Sequence, residues 1–155
     1  MEFIQKCINV YGNVTLETLM EYIKNANYIS VYTDGSTQYK NNQRQSGIGV
    51  YFGDGDERNV SKMVNTIDNN ECELLACIEA LSIVQYKYNY VNIFTDSRLV
   101  VDGMNGQCTK TKFDLFTQLE ELILSFIDVK FIYVKGHSGI EGNEKADALS
   151  RSPFS

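Results

Sequence analysis

The 155-residue chain has one histidine, His137, and four cysteines, Cys7, Cys72, Cys77 and Cys108, none of them in a CxxC pair. That spacing builds no zinc-type cluster of thiols and imidazoles, and it reads as reduced thiols rather than a disulfide framework. Long apolar runs are also missing. The longest, LILSFI at 122–127, falls far short of the ~20 residues that a membrane-crossing helix needs. The opening stretch MEFIQKCINVYGNV has neither the basic region nor the apolar core of a secretory signal. These absences predict a cytoplasmic or nuclear chain with no membrane partner. Positive charge is scarce as well: 14 Lys and Arg face 20 Asp and Glu, a formal net charge of −6. The basic footprint usual in nucleic-acid binders is therefore absent. An acidic chain still binds phosphate, however, where divalent cations occupy its carboxylates.

What is present is ordinary globular material. A hydrophobic fraction of 43% and a charged fraction of 22% argue against disorder, and the length suits one domain. In residues 14–25, Leu16, Leu19, Met20 and Ile23 fall at helical spacing. This predicts an amphipathic helix within a leader, residues 1–27, ahead of a catalytic domain at 28–152. Alternating apolar residues predict strands at 28–35, closing on an Asp-Gly turn, at 46–53 and at 58–67. Asp54 and Asp56 read as hairpin-turn residues rather than metal ligands. Helical periodicity follows at 70–85, with Asn70 as N-cap, then a strand at 90–97 and helices at 97–104 and 111–126. A strand at 128–136 and a short helix at 142–150 complete the order β-β-β-α-β-α-α-β-α. The predicted class is α/β: a five-stranded mixed sheet, three antiparallel strands then parallel βαβ crossovers, flanked by helices.

Four acids stand where this topology gathers its strand ends. Asp34 and Asp96 close the first and fourth strands, Glu73 opens the helix between them, and Asp147 lies in the last helix. Parallel strands place functional groups at their carboxyl ends, so the four converge. Clustered carboxylates repel and are costly to bury, and hard divalent cations relieve both costs. Taken singly, each residue also has a purely structural reading. Asp34 suits a turn, Glu73 a capping box opened by Asn70, Asp96 with Ser97 a helix cap, Asp147 a solvated helix face, and His137 a loop.

The ordered set TDGS (33–36), NNECEL (69–74), TDS (95–97), VKGHSG (134–139) and GNEKAD (142–147) resembles the type 1 ribonuclease H family, in register from about Tyr28 to Leu149. The resemblance implies a ribonuclease H-like fold and endonucleolytic hydrolysis of the RNA strand of an RNA–DNA hybrid, leaving 3′-hydroxyl and 5′-phosphate ends. It implies two Mg²⁺ ions, with Mn²⁺ as a substitute, held by Asp34, Glu73, Asp96 and Asp147. It makes His137 the mobile-loop residue that helps protonate or release product. Gly35, Ser36, Asn69 and Asn70 become substrate contacts, and Glu144 an acid beside the site. A monomer is expected. Three alternatives stay open: an integrase or exonuclease relative, a silent nucleic-acid-binding module, and a domain of a reverse-transcriptase-like assembly.

The chain also departs from the family pattern. Asp68 replaces the threonine before the NN pair and Glu71 the arginine after it. There is no tryptophan to line a DNA channel, and the stretch between Asp102 and Asp114 is too short for a basic handle helix. The leader lacks the basic, aromatic-rich pattern of a hybrid-binding domain. Each loss removes grip on a polyanion, so the expectation is a weak, salt-sensitive binder leaning on Lys40, Arg44, Lys110, Lys112 and the metals.

Overall fold

The computed structural model describes Gln5, Gly12, residues 15–18, Met20, 27–106 and 112–154, Phe113 by its backbone alone. Strand β1 (Tyr28–Lys40) does not end at Asp34-Gly35. Those residues stay in the ladder opposite Gly49 and Ile48 of β2 (Gln43–Tyr51). The turn comes instead at Asn41-Asn42, with φ of 55° and 62°. Asparagine tolerates this left-handed conformation, and two such residues make a tight hairpin. Local Asp-Gly turn chemistry thus yields to the continuous pairing of two long strands. Strand β3 (Val60–Val64) is shorter than the periodicity suggested and flanks β2.

The five strands order as β3-β2-β1-β4-β5. β4 (Tyr90–Thr95) runs parallel to β1, and β5 (Asp128–Tyr133) parallel to β4. The expected mixed sheet is therefore the observed one. Helix α1 (Asn69–Val84) crosses from β3 to β4. Its N-cap is Asp68, not Asn70: the Asp68 carboxylate accepts from the backbone N–H of Asn70 and Glu71. Helices α2 (Arg98–Met104) and α3 (Phe113–Ile123) bridge β4 and β5. Helix α4 (Glu141–Arg151) follows β5 and runs into a single 3₁₀ turn, Ser152–Phe154.

Alternation along β1 sends Val31, Thr33 and Gly35 to one face and Tyr32, Asp34 and Ser36 to the other. On the first face Thr33 Oγ1 lies 3.5 Å from Cys77 Sγ of α1. On the second, Ser36 Oγ donates to the Ser150 carbonyl of α4 at 3.1 Å. α1 and α4 thus cover opposite faces. The main core lies on the α1 side, where Leu74, Leu81, Ile93, Phe116, Leu119 and Phe126 are almost wholly buried. Each contributes roughly 1.5–3 kcal/mol by leaving water.

Cys72 and Cys77 are free and buried, whereas Cys7 and Cys108 lie outside the described residues. Of the expected leader helix, Leu16–Thr18 and Met20 are helical, and Thr15 Oγ1 accepts from the Thr18 N–H at 3.2 Å. Leu19 and Ile23 lie outside the described residues. Among the described residues no helix is long and apolar enough to cross a membrane.

Candidate active site

Strand register brings the first two acids together. Tyr32 and Phe94 are partners in the parallel β1–β4 pair, and their rings stack with centroids 4.8 Å apart. Asp34 and Asp96 each follow by two residues, so both carboxylates leave the sheet on that same face. The helix-capping role falls to Ser97, whose Oγ accepts from the Val100 N–H at 3.3 Å, rather than to Asp96.

Glu73 reaches the same point from α1, across the sheet, and Gly35 is what permits it. A Cβ at position 35 would lie 2.6 Å from Cys72 C and Cβ and 2.7 Å from Glu73 N. With no side chain there, the Gly35 N–H donates to Glu73 Oε1 at 3.2 Å. The capping-box position three residues after Asp68 belongs to Glu71, whose Oε2 accepts from Thr66 Oγ1. Glu73 is thereby left to the cluster. One carboxylate oxygen from each of Asp34, Glu73 and Asp96 lies within 4.8 Å of the others.

The fourth acid, Asp147, comes from α4. Its side chain lies near that of Asp34, and its Oδ1 accepts from Arg151 Nε at 3.0 Å. It lines the same cleft, of about 230 Å³, without joining the tight trio. Asn69, Ser36, Thr37, His137 and Arg151 line it too. His137 is exposed, with φ at 54°, in the loop between β5 and α4. The loop abuts the acids, because a Cβ at Gly136 would stand 2.8 Å from Asp96 Oδ2. A larger hollow of about 600 Å³, between α2, α3 and the edge strand β5, holds none of these acids.

The electrostatics are those of an unbalanced anion cluster. Asp34 is 4% exposed and Glu73 5%. Burial, then the charges of Glu73 and Asp96, push the Asp34 carboxyl from its ordinary 3.8 to about 10. Burial, then the charge of Asp96, also raises Glu73, partly offset by its hydrogen bonds with Asp34 and Gly35. Glu73 Oε2 is buried without a hydrogen-bond partner, and such orphaned acceptors are costly. A divalent cation answers both problems. Oxygen ligands about 2.1 Å from one ion stand at most about 4.2 Å apart, close to the spacing found. The donor set, oxygen without thiol or imidazole, suits a hard ion.

The remaining sequence candidates separate. Gly35, Ser36 and Asn69 reach the cleft, but the Ser36 hydroxyl is already engaged by α4. Asn70 is exposed next to the cleft, its N–H bound to Asp68 Oδ1 at 2.8 Å. Glu144 is exposed on α4 and does not line the cleft. Lys112 pairs with Asp68 at 2.5 Å, Lys40 Nζ donates to the Phe154 carbonyl, and Arg44 is exposed on β2. Lys110 lies outside the described residues. Sequence reasoning missed Arg151, among the described residues the one Lys or Arg lining the cleft. Its i,i+4 offset from Asp147 was the available signal.

Comparison with known proteins gives the family and the fold. The RNase H family model matches residues 26–154. Ribonuclease H of Ehrlichia canis (strain Jake) is 35% identical over 144 residues, covering 83% of this chain and 96% of that protein. Ribonuclease H1 of Mus musculus is 33% identical over 142 residues, 79% of this chain and 49% of the mouse protein. The chain thus spans about half the length of the mouse, rat and human relatives and nearly all of the bacterial ones. Among solved structures, RNase H1 of the halophilic archaeon Halobacterium salinarum NRC-1 superposes with a TM-score of 0.65 at 24% identity, over 83% of this chain and 98% of that one. LC11-RNase H1 in complex with an RNA/DNA hybrid superposes at 0.60 with 20% identity, over 82% and 99%. At these identities the structures attest the fold.

Proposed function

Since the chain belongs to the ribonuclease H family of enzymes, we propose that it hydrolyses the RNA strand of an RNA–DNA hybrid, using two Mg²⁺ ions and leaving 3′-hydroxyl and 5′-phosphate ends. The observation that carries this reading is the meeting of Asp34, Glu73 and Asp96 within 4.8 Å, beside a buried Glu73 oxygen that has no partner. The hybrid complex of LC11-RNase H1, a protein of the same fold, supports the choice of substrate.

Asp34, Glu73, Asp96 and Asp147 would hold the ions, with Mn²⁺ as a substitute. When bound, divalent cations polarise a phosphodiester and make an attacking water more acidic. The protein's own residues do the rest. Asp34 lies between the two sides of the cluster, in contact with Glu73 and Asp147, and serves both sides. Arg151 donates to one oxygen of Asp147 and so orients that carboxylate. His137, exposed at the cleft mouth, delivers a proton to the departing 3′ oxygen. Asn69, Asn70 and the backbone at Gly35 and Ser36 read the 2′-hydroxyls that distinguish RNA from DNA. Glu144, exposed on α4, acts on the local field alone. Residues 28–152 form the catalytic unit and 1–27 a separate leader. The chain works as a monomer, inside the cell, where hybrids arise.

The test is a labelled RNA–DNA hybrid incubated at low salt with Mg²⁺ or with EDTA, beside single-stranded RNA, duplex RNA, duplex DNA and an Asp96→Asn variant. Metal-dependent cutting confined to the hybrid's RNA strand, and lost in the variant, is expected. Cutting of duplex DNA moves the reading to an integrase-like relative. Hybrid binding with no cutting in Mg²⁺, or in Mn²⁺ put in its place, overturns it in favour of a silent binding module.

A further inference from the structure

At the start of α1 the chain puts acid where a polyanion should pass. Asn69 lines the cleft, and Asp68 immediately precedes it. Both oxygens of Asp68 are engaged. Oδ1 accepts the N–H groups of Asn70 and Glu71 at 2.8 and 3.2 Å. Oδ2 accepts from Lys112 Nζ at 2.5 Å. The two side chains are 35% and 27% exposed, so the pair stands at the surface yet partly shielded. Lys112 is the residue before α3, 44 positions away in sequence, and its contact ties the two helix starts together. The direction of titration agrees: Lys112 holds the Asp68 carboxyl below its ordinary range, and Asp68 raises Lys112.

We propose that Lys112 is a charge-compensating residue for substrate binding. Its ammonium neutralises Asp68, so that the acidic start of α1 accepts the phosphate backbone of a hybrid seated in the cleft. Its effect runs through Asp68 rather than through a phosphate contact of its own. The inference rests on the hybrid reading above and deepens it. An ammonium already committed to a carboxylate has little left for a phosphate, while an unpaired carboxylate beside the backbone repels every substrate that approaches.

The consequence is a coupling that a double-mutant cycle reads directly. KM and kcat for a labelled hybrid are measured at one low salt concentration for the wild type, Lys112→Met, Asp68→Asn and the double variant. Asparagine keeps the N-cap, so α1 stays anchored. Lys112→Met is expected to raise KM several-fold with kcat within about twofold, because it uncovers the Asp68 charge. In the Asp68→Asn background the same change is expected to move KM by less than about twofold, since no charge is left to uncover. Lys112→Arg, which keeps the charge, is expected to hold KM near wild type. A KM increase of equal size in both backgrounds overturns the inference and makes Lys112 a direct phosphate contact. An unchanged KM in Lys112→Met overturns it as well. A lower melting temperature and kcat with KM untouched assigns the pair a purely structural role. A wild-type chain that does not cut the hybrid overturns the functional reading and this inference together; a wild type that cuts, with no coupling, overturns this inference alone.

Discussion

Replacing Asp34 by asparagine should stabilise the metal-free protein at neutral pH while it abolishes hydrolysis. Asp34 is 4% exposed, and burial plus the neighbouring charges lift its carboxyl from 3.8 to about 10. In the unfolded chain that carboxyl ionises near its ordinary value. In the folded chain it stays protonated until far above neutrality. Between those limits the folded state keeps a proton that the unfolded state releases. Stability is therefore whole below about pH 4 and declines steadily as pH rises toward the folded value. At pH 7 the loss is roughly 4 kcal/mol, from about 1.4 kcal/mol for each pH unit above 3.8. That figure depends only on the pH and the unfolded value once the folded pKa exceeds 7. Asparagine has no such proton to hold but forfeits part of the hydrogen bonding with Glu73 and Asp147, so a gain of about 2–4 kcal/mol is expected. For a chain of this size that is roughly 5–15 °C in melting temperature. Thermal unfolding of both proteins in EDTA from pH 4.5 to 8 tests it. The gap should be near zero at the acid end and widest at pH 8. Saturating Mg²⁺ should narrow or invert it, because only the wild type binds the ion well enough to be stabilised. A variant that melts at or below the wild type at pH 8 in EDTA, or a gap that ignores pH, would refute the electrostatic account of the cluster.

Three further outcomes follow from particular contacts. Gly35→Ala forces a methyl against Cys72 and the Glu73 backbone; it should cost about 1–3 kcal/mol in urea unfolding and, by displacing Glu73, lower hybrid cleavage more than tenfold, so cleavage within twofold of wild type would mean Gly35 does not set the Glu73 position. Arg151→Ala removes the partner of Asp147 and should raise the half-saturating Mg²⁺ concentration by about 10–100-fold, with Arg151→Lys recovering part of the effect; an unchanged Mg²⁺ titration would discount the pair. Phe116→Ala, at a ring 1% exposed, should destabilise by about 3–5 kcal/mol in denaturant titration yet leave cleavage per folded molecule unaltered at low temperature, and a selective loss of activity would mean the core and the cleft are linked.

The parts of the molecule legible in the sequence are those that a period fixes. Residues two apart on parallel strands share a face, so Asp34 and Asp96 could be placed together once the β1–β4 pairing was assumed. Helical spacing likewise brought Glu73 and Asp147 to the right elements. What failed was decided by distant partners. Asp-Gly at 34–35 carries a strong turn signal, yet its backbone pairs with Gly49 and Ile48, and the glycine serves the approach of Cys72 and Glu73 instead. Asn70 and Asp68 are both good N-caps. Asp68 takes the role because Lys112, 44 residues on, also holds it there, and no local rule contains that partner. The Asp147–Arg151 pair was readable from its spacing, but many such pairs are solvent decoration, and only the cleft gives this one consequence.

The net charge of −6 opposes a polyanion as a bare sum, so the acids are better sorted by what they touch. Asp56, Asp68, Glu79 and Asp147 each lie beside a cation, respectively Arg58, Lys112, Lys62 and Arg151. Partly exposed pairs like these add about 0–1 kcal/mol apiece to stability, so their larger effect is to cancel field at the surface. Among the described residues, Asp34, Glu73 and Asp96 have no such pairing with Lys or Arg, and these are the acids that converge. On the proposed reading no Lys or Arg among the described residues answers these three acids, and ions from solution are to supply the balance. Two divalent cations would take the formal charge from −6 to −2 and concentrate the change where the scissile phosphate sits. Substrate affinity and metal affinity are then linked by one coupling free energy, and each ligand must strengthen the other by the same factor. On that reading a chain without tryptophan or a basic handle would hold a hybrid through its metals, and would release it when they leave.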